Sequence, residues 1–146
     1  MSAAVAVYRR GIALCERIPY SLIALLARVA VFEVFWRSGI AKLDDWAGTL
    51  SLFADEYHLP LLPPALAATL AASLELGGSV LALLGLATRP VVLLLLGMVA
   101  VIQLFVFPEA WPTHVQWAAF MLLLLARGPG VISLDHLFGR LLLRSA

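Results

Sequence analysis

Cysteine is the scarcest chemistry-bearing residue in the chain, because Cys15 is the only one among 146 residues. A single cysteine excludes an internal disulfide and a CxxC redox pair, so thiol chemistry would need a partner chain. Charged residues make up only 13% of the sequence. No phosphate loop, nucleophile elbow or zinc-protease signature occurs. The chain therefore has no self-contained catalytic motif.

Apolar residues dominate what is present. The chain is 63% hydrophobic and has a mean hydropathy of +1.00, outside the range of ordinary soluble domains. A hydrocarbon layer about 30 Å thick takes roughly 20 helical residues to cross, so this length accommodates four crossings. We predict a single all-α integral membrane domain over residues 1–146, built as a four-helix transmembrane bundle in the lipid bilayer.

Four apolar segments are long enough to be the predicted spans. They cover residues 20–40, 64–87, 90–107 and 112–126. Each is predicted to be helical, because a backbone segment in lipid must satisfy its own hydrogen bonds. Pro64, Pro90 and Pro112 fall at predicted helix starts, where the missing N–H costs nothing.

Basic and acidic residues fall on opposite sides of this arrangement. The side that holds both termini collects Arg9, Arg10, Arg17, Arg89, Arg127, Arg140 and Arg144. The other side collects Asp44, Asp45, Asp55, Glu56 and Glu109. The positive-inside rule then predicts that both termini of this multi-pass protein are cytoplasmic. We expect its membrane to be the plasma (inner) membrane.

Two further helices are predicted at the membrane surfaces. Asp44 and Asp45 can cap an amphipathic loop helix on the outer side, whose apolar stripe is Trp46, Leu50, Phe53 and Tyr57. This helix is either a lid over the bundle or a binding element. After a break at residues 128–130, residues 134–144 form a basic amphipathic helix suited to an anionic inner surface.

Ionisable residues within the first two spans mark the candidate site: Arg28, Glu33, Arg37 and Glu75. Such side chains are costly at membrane depth and need partners or water. Glu33 and Arg37 are four residues apart and can pair along one helix face. Arg28 and Glu75 lie at similar predicted depths and are expected to meet. Their pair is either a structural clasp between helices or a site that handles protons or a ligand.

Polar residues towards the outer end complete the candidate set. Gln103 and Gln116 can bond across helices or hold the carbonyl of a quinone-like ring. His58 and His114 are the candidate metal ligands. Two histidines without a cysteine or a carboxylate pattern fall short of a metal site, so we predict none and interpret both as exposed loop histidines.

The order and spacing of several short motifs resemble the DoxX family of small prokaryotic membrane proteins. The motifs, between residues 22 and 140, are Arg28 with Phe32, Ser38-Gly39 with Lys42, Leu59-Pro60, residues 75–78, residues 84–89, Gly128-Pro129-Gly130 and Ser133-Leu134-Asp135. The resemblance implies a four-helix membrane bundle associated with redox chemistry. Some relatives look like subunits of a thiosulfate:quinone oxidoreductase and others like membrane partners of oxidative-stress enzymes.

Three functions follow as hypotheses. The first is an accessory or quinone-interacting subunit of a membrane redox or oxidative-stress system, with quinone as the cofactor and a soluble or membrane redox protein as partner. The second is a small proton-coupled transporter that works as a homo-oligomer, with Glu33 or Glu75 cycling its protonation. The third is a scaffold that docks a soluble enzyme through residues 134–144. We expect no nucleic-acid partner.

Overall fold

The computed structural model describes residues 3–57, 59 and 61–144, and these residues form helices and connecting turns without any strand. The helices are α1 (Ala3–Cys15), α2 (Tyr20–Asp44), α3 (Trp46–Asp55), α4 (Pro64–Leu84), α5 (Thr88–Val106), α6 (Trp111–Arg127) and α7 (Leu134–Arg144). A short 3-10 turn, Pro108–Ala110, precedes α6. The all-α prediction is confirmed.

Two helices, α4 and α5, are long and apolar enough to cross a membrane. A third crossing is possible if α1 and α2, which are bent by 60° at their junction, count as one broken span. Charged residues in α2 lower its apolarity, and α6 has 17 residues, which is about 25 Å of helix. The structure therefore supports two to three candidate spans, and the exact four-span bundle is not confirmed.

Residues from α2, α4, α5 and α6 share one apolar core. Its buried members are Ala24, Ala27, Val31, Phe35, Ala82, Val91, Val92, Leu95, Val99, Met121 and Leu124. The alanines lie on α2 and α4, where small side chains allow the two backbones to approach closely.

Gly39 lies where α2 and α4 approach each other closely. A Cβ added at Gly39 would lie 2.6 Å from Leu76 Cγ and 3.3 Å from Glu75 Cβ. Glycine is thus required here by space, and the contact fixes the height of one helix against the other.

We call the end of the protein that holds the end of α2 and the start of α4 the outer end, and the opposite end the inner end, after the predicted topology. The outer part of α4 packs against α3. Phe53 of α3 is buried with Ala67 and Ala68 of α4, and the rest of the predicted stripe, Trp46, Leu50 and Tyr57, packs around them. Asp45 caps α3 by accepting a hydrogen bond from Gly48 N at 2.8 Å. The predicted outer helix is therefore present, and its apolar face covers α4.

Asp135 ties α7 to the turn between α4 and α5. Its two carboxylate oxygens accept hydrogen bonds from Ala87 N at 2.7 Å and Thr88 N at 2.9 Å. Its own N–H donates to Gly85 O at 2.9 Å. Ala87 has a φ of 47°, which few residues other than glycine adopt, so these bonds stabilise a strained turn. A side chain from α7 thereby caps the start of α5.

We expect Gly39→Ala to lower the free energy of unfolding by about 1–3 kcal/mol, because the added methyl group overpacks the α2–α4 contact. The matched control is Gly97→Ala on α5, where an added Cβ meets no atom within 4 Å. The measurement is thermal or denaturant unfolding in detergent, followed by circular dichroism. Equal stability of the two variants would contradict the close approach.

We expect Asp135→Ala to lower the free energy of unfolding by about 1–3 kcal/mol, because the two backbone N–H groups lose a charged acceptor. Asp55→Ala, which removes an exposed carboxylate of α3, serves as the control. Hydrogen exchange of the Ala87 and Thr88 amides gives a local readout. The cap fails as an explanation if those amides exchange at the same rate in Asp135→Ala and in the unsubstituted protein.

Candidate functional site

A cavity of about 490 Å³ lies in the outer part of the protein, between α2, α3, α4, α5 and the start of α6. Its walls are mostly apolar, with aromatic rings contributed by Phe35, Phe53, Tyr57, Phe107 and Trp117. Volume and composition fall in the range of small-molecule sites, which combine apolar walls with a few placed polar groups.

Ser38, Lys42 and Glu75 form the polar side of this cavity, and we refer to them as the polar triad. Glu75 is only 2% exposed, and its Oε1 accepts hydrogen bonds from Lys42 Nζ at 2.8 Å and Ser38 Oγ at 3.0 Å. Lys42 Nζ also donates to Ser38 Oγ at 2.9 Å. Ser38 and Lys42 are one turn apart on α2, so both face the same point on α4. The triad joins the two helices through a buried ion pair.

The predicted pairing of Arg28 with Glu75 is wrong. Arg28 is buried, but its guanidinium donates to the main-chain carbonyls of Leu83, at 3.0 Å, and Ile132. These two carbonyls lie at the end of α4 and in the loop before α7. Arg28 therefore clamps the inner end of the protein and does not contribute to the cavity.

Helix height explains this error. Gly39 faces Glu75 and Leu76, so these residues lie at one height. The helix α4 begins at Pro64, eleven residues before Glu75, so its start lies about 16 Å further towards the outer end than Glu75. The helix α2 continues only to Asp44, about 8 Å beyond Gly39. The outer ends of α2 and α4 are therefore not level, and depths measured from those ends placed Arg28 and Glu75 together incorrectly.

Glu33 and Arg37 form the predicted ion pair along α2, but they lie outside the cavity. Their side chains are 50% and 79% exposed. Both were candidate site residues, but the buried acid–base pair of the cavity is made by Glu75 and Lys42.

Gln103 and His114 connect α5 to α6 at another side of the cavity. Gln103 Nε2 donates to Pro108 O at 2.8 Å, and Gln103 Oε1 lies 2.7 Å from His114 Nδ1. A carbonyl can only accept, so Pro108 fixes the amide orientation and His114 Nδ1 must be the donor to Oε1. In the neutral ring this leaves His114 Nε2 as an acceptor.

The remaining candidates fall elsewhere. His114 is buried on α6 and packs against Trp117 with ring centroids 5.2 Å apart, so its interpretation as an exposed loop histidine is wrong. Gln116 is exposed and does not line the cavity. His58 lies outside the described residues. Within the described part of the chain, no three His, Cys, Asp or Glu side chains are grouped so that they could hold a metal ion.

Two helices beside the cavity, α4 and α5, contain a π-helical turn. The turn Leu74–Gly78 in α4 carries Glu75, and the turn Ile102–Val106 in α5 carries Gln103. Such turns occur often at functional sites, because the extra residue shifts the side-chain register locally.

A comparison with protein families decides the classification. The model of the DoxX family matches residues 23–108, which is more than half of the chain. The chain belongs to the DoxX family. No curated protein and no solved structure matches it.

The DoxX match contains the polar triad and both π-helical turns. It ends before His114 and Trp117 of α6. It also ends before residues 128–135, which had contributed to the resemblance. In this DoxX chain, the matched region thus supplies the ion pair of the cavity, and the following helix supplies the imidazole and an indole wall.

Tyr57 adds a neutral hydroxyl to the DoxX cavity. Burial raises the pKa of the Tyr57 phenol, and the nearby carboxylates of Glu56 and Glu75 raise it further. The phenol therefore stays protonated at physiological pH. Its ring makes edge contacts with Phe53 and Phe107, at centroid distances of 4.9 Å and 5.8 Å, which close the cavity between α3 and the end of α5.

Sequence reasoning did not select Ser38, Lys42 or Tyr57 as site residues. Lys42 lay beyond the predicted end of the first span at residue 40, whereas α2 runs to Asp44. The four-residue spacing of Ser38 and Lys42 was the available signal, because it puts a hydroxyl and an ammonium group on one helix face.

We expect Lys42→Met to lower the free energy of unfolding by about 3 kcal/mol, because it leaves the buried Glu75 carboxylate without its cation. Arg37→Met, which breaks the exposed pair with Glu33, should cost at most about 1 kcal/mol. The double variant Lys42→Met/Glu75→Met should recover most of the loss, since it removes both charges. Denaturant unfolding in mixed micelles measures all three, and equal losses in both single variants would contradict the burial of the pair.

Proposed function

We propose that this DoxX protein binds a lipophilic molecule of the quinone class in the outer cavity, as an accessory subunit of a membrane redox or oxidative-stress system. One observation carries the proposal: an aromatic-walled cavity of about 490 Å³ contains a buried, charge-balanced polar triad. A quinone has the matching shape, with a flat ring, polar ring substituents and an apolar tail.

Charge balance favours a neutral ligand. Lys42 offsets the charge of Glu75, so the polar side of the cavity does not present a net charge that would select an ion. Phe53 and Trp117 would contact a flat ring from the walls, and Lys42 and Tyr57 supply hydrogen-bond donors for its oxygens. A bound quinone supplies reversible two-electron, two-proton chemistry, whereas this chain supplies binding and orientation.

In this proposal α2 and α6 complete a four-span bundle with α4 and α5. The support is their packing on the shared core, together with apolar side chains on their outer faces. Exposed examples are Leu22, Leu26 and Val29 of α2, and Phe120 and Leu122 of α6. Both termini then lie on one side, which the arginines assign to the cytoplasm. The transporter, scaffold and homo-oligomer hypotheses stay predictions.

Filling the cavity tests this function. We expect Ala71→Phe to abolish copurification of quinone, because residue 71 lines the cavity and a phenyl ring there occupies the ligand's volume. The matched control is Ala100→Phe, an equal change at an exposed position of α5 outside the cavity. Both variants are purified in native lipid, and quinone is extracted and quantified per protein.

Two results would contradict the proposal. One is the absence of quinone from the unsubstituted protein together with unchanged electron flow in a deletion strain. The other is equal quinone content in Ala71→Phe and Ala100→Phe, which would mean that the quinone is carried in the surrounding lipid.

A further inference from the structure

One buried polar atom in the cavity lacks a partner. Glu75 Oε2 is inaccessible to solvent and has no hydrogen-bond partner among the described residues, although Oε1 of the same carboxylate has two. Buried polar atoms in folded proteins almost always have a hydrogen-bond partner, and a buried atom without one destabilises the folded state. Arg28 Nε and Thr88 Oγ1 are also buried without a partner in the described part of the chain, but neither residue lines the cavity. Because Glu75 does line it, a molecule in the cavity is the partner available to Oε2.

The nearby donors of the protein do not satisfy this oxygen. The Ser38 hydroxyl donates its one hydrogen to Oε1. Lys42 Nζ donates to Ser38 Oγ and to Oε1, and it makes no hydrogen bond with Oε2. The hydroxyl of the half-buried Tyr57 makes no hydrogen bond with Oε2 either. The unmet requirement inside the cavity is therefore for a donor supplied by the ligand.

Resting on the function proposed above, we infer that the ligand donates a hydroxyl hydrogen bond to Glu75 Oε2. Its chemical class is a lipophilic phenol or the reduced, dihydroxy form of a quinone-class ring. An oxidised quinone has only carbonyl oxygens on its ring and cannot donate. Glu75 is thus the specificity-determining residue that selects the reduced form over the oxidised form.

His114 adds to this preference. With Nδ1 donating to Gln103 Oε1, the neutral imidazole offers Nε2 as a second acceptor among the residues that line the cavity. Glu75 and His114 come from different helices, so a ring with two hydroxyl groups can donate one hydrogen bond to each of them. Glu75 carries the inference, because its oxygen is the buried one.

The test uses three probes of matched apolar size, namely para-nonylphenol, its methyl ether para-nonylanisole, and nonyl-para-benzoquinone. Binding to the full chain in phosphatidylcholine nanodiscs is measured by isothermal titration calorimetry, and heats from empty nanodiscs are subtracted. A hydrogen bond to a buried carboxylate corresponds to about a tenfold preference or more. We expect the phenol to bind at least tenfold more tightly than the ether and the quinone.

Glu75→Gln tests the assignment to this residue. We expect the phenol preference to fall below about threefold, because the carboxylate acceptor is lost. Glu33→Gln makes the same chemical change on the exposed face of α2 and should keep the full preference. The comparison of probes in the unsubstituted protein stands even if Glu75→Gln does not fold.

The outcomes separate this inference from the proposed function. If the phenol and the ether bind equally, or if the quinone binds more tightly than the phenol, the donor requirement is overturned while binding in the cavity stands. A preference that persists in folded Glu75→Gln overturns the role of Glu75. If none of the three probes binds, both this inference and the proposed function fail.

Discussion

The close approach of α2 and α4 at Gly39 is the constraint on which the arrangement depends. Because no side chain separates the helices there, Leu76 packs against the α2 backbone and sets the height of α4. That height brings Lys42 over Glu75 on the outer side. It also brings Arg28, about three turns earlier on α2, to the last turn of α4. One backbone contact thus assigns partners to the buried charges at both ends.

The two ends use their polar groups differently. At the inner end, Arg28 and Asp135 bind main-chain groups, so their hydrogen bonds fasten loops and a helix terminus. At the outer end, the polar triad faces open volume and keeps one buried oxygen unsatisfied. The inner end also holds buried atoms without a hydrogen-bond partner, namely Arg28 Nε and Thr88 Oγ1. What distinguishes the outer end is that Glu75 lines a cavity, which Arg28 and Thr88 do not. The outer end is therefore the one to which the proposed function assigns ligand binding.

Composition and periodicity predicted the helical class and the two amphipathic helices α3 and α7, and the resemblance of short motifs predicted the family. They also selected Glu75, Gln103 and His114, which all lie in or beside the cavity. The partners of the buried charges could not be predicted, because pairing depends on the relative height of two helices. The sequence does not show which residue of α4 lies opposite Gly39. The exposed position of Glu33 was missed for a related reason, since i,i+4 spacing predicts a pair without saying which way it faces.

The bond from Asp135 to the α4–α5 turn makes the C-terminal segment part of the folding unit. The start of α5, the strained Ala87 and the first turn of α7 share a single carboxylate, and Arg28 holds the carbonyl of Ile132 beside them. A chain shortened at residue 130 would therefore leave the Ala87 and Thr88 amides without their carboxylate acceptor and Arg28 without one of its two carbonyl acceptors. A partner that displaced α7 would therefore break hydrogen bonds to the inner ends of α2, α4 and α5 together.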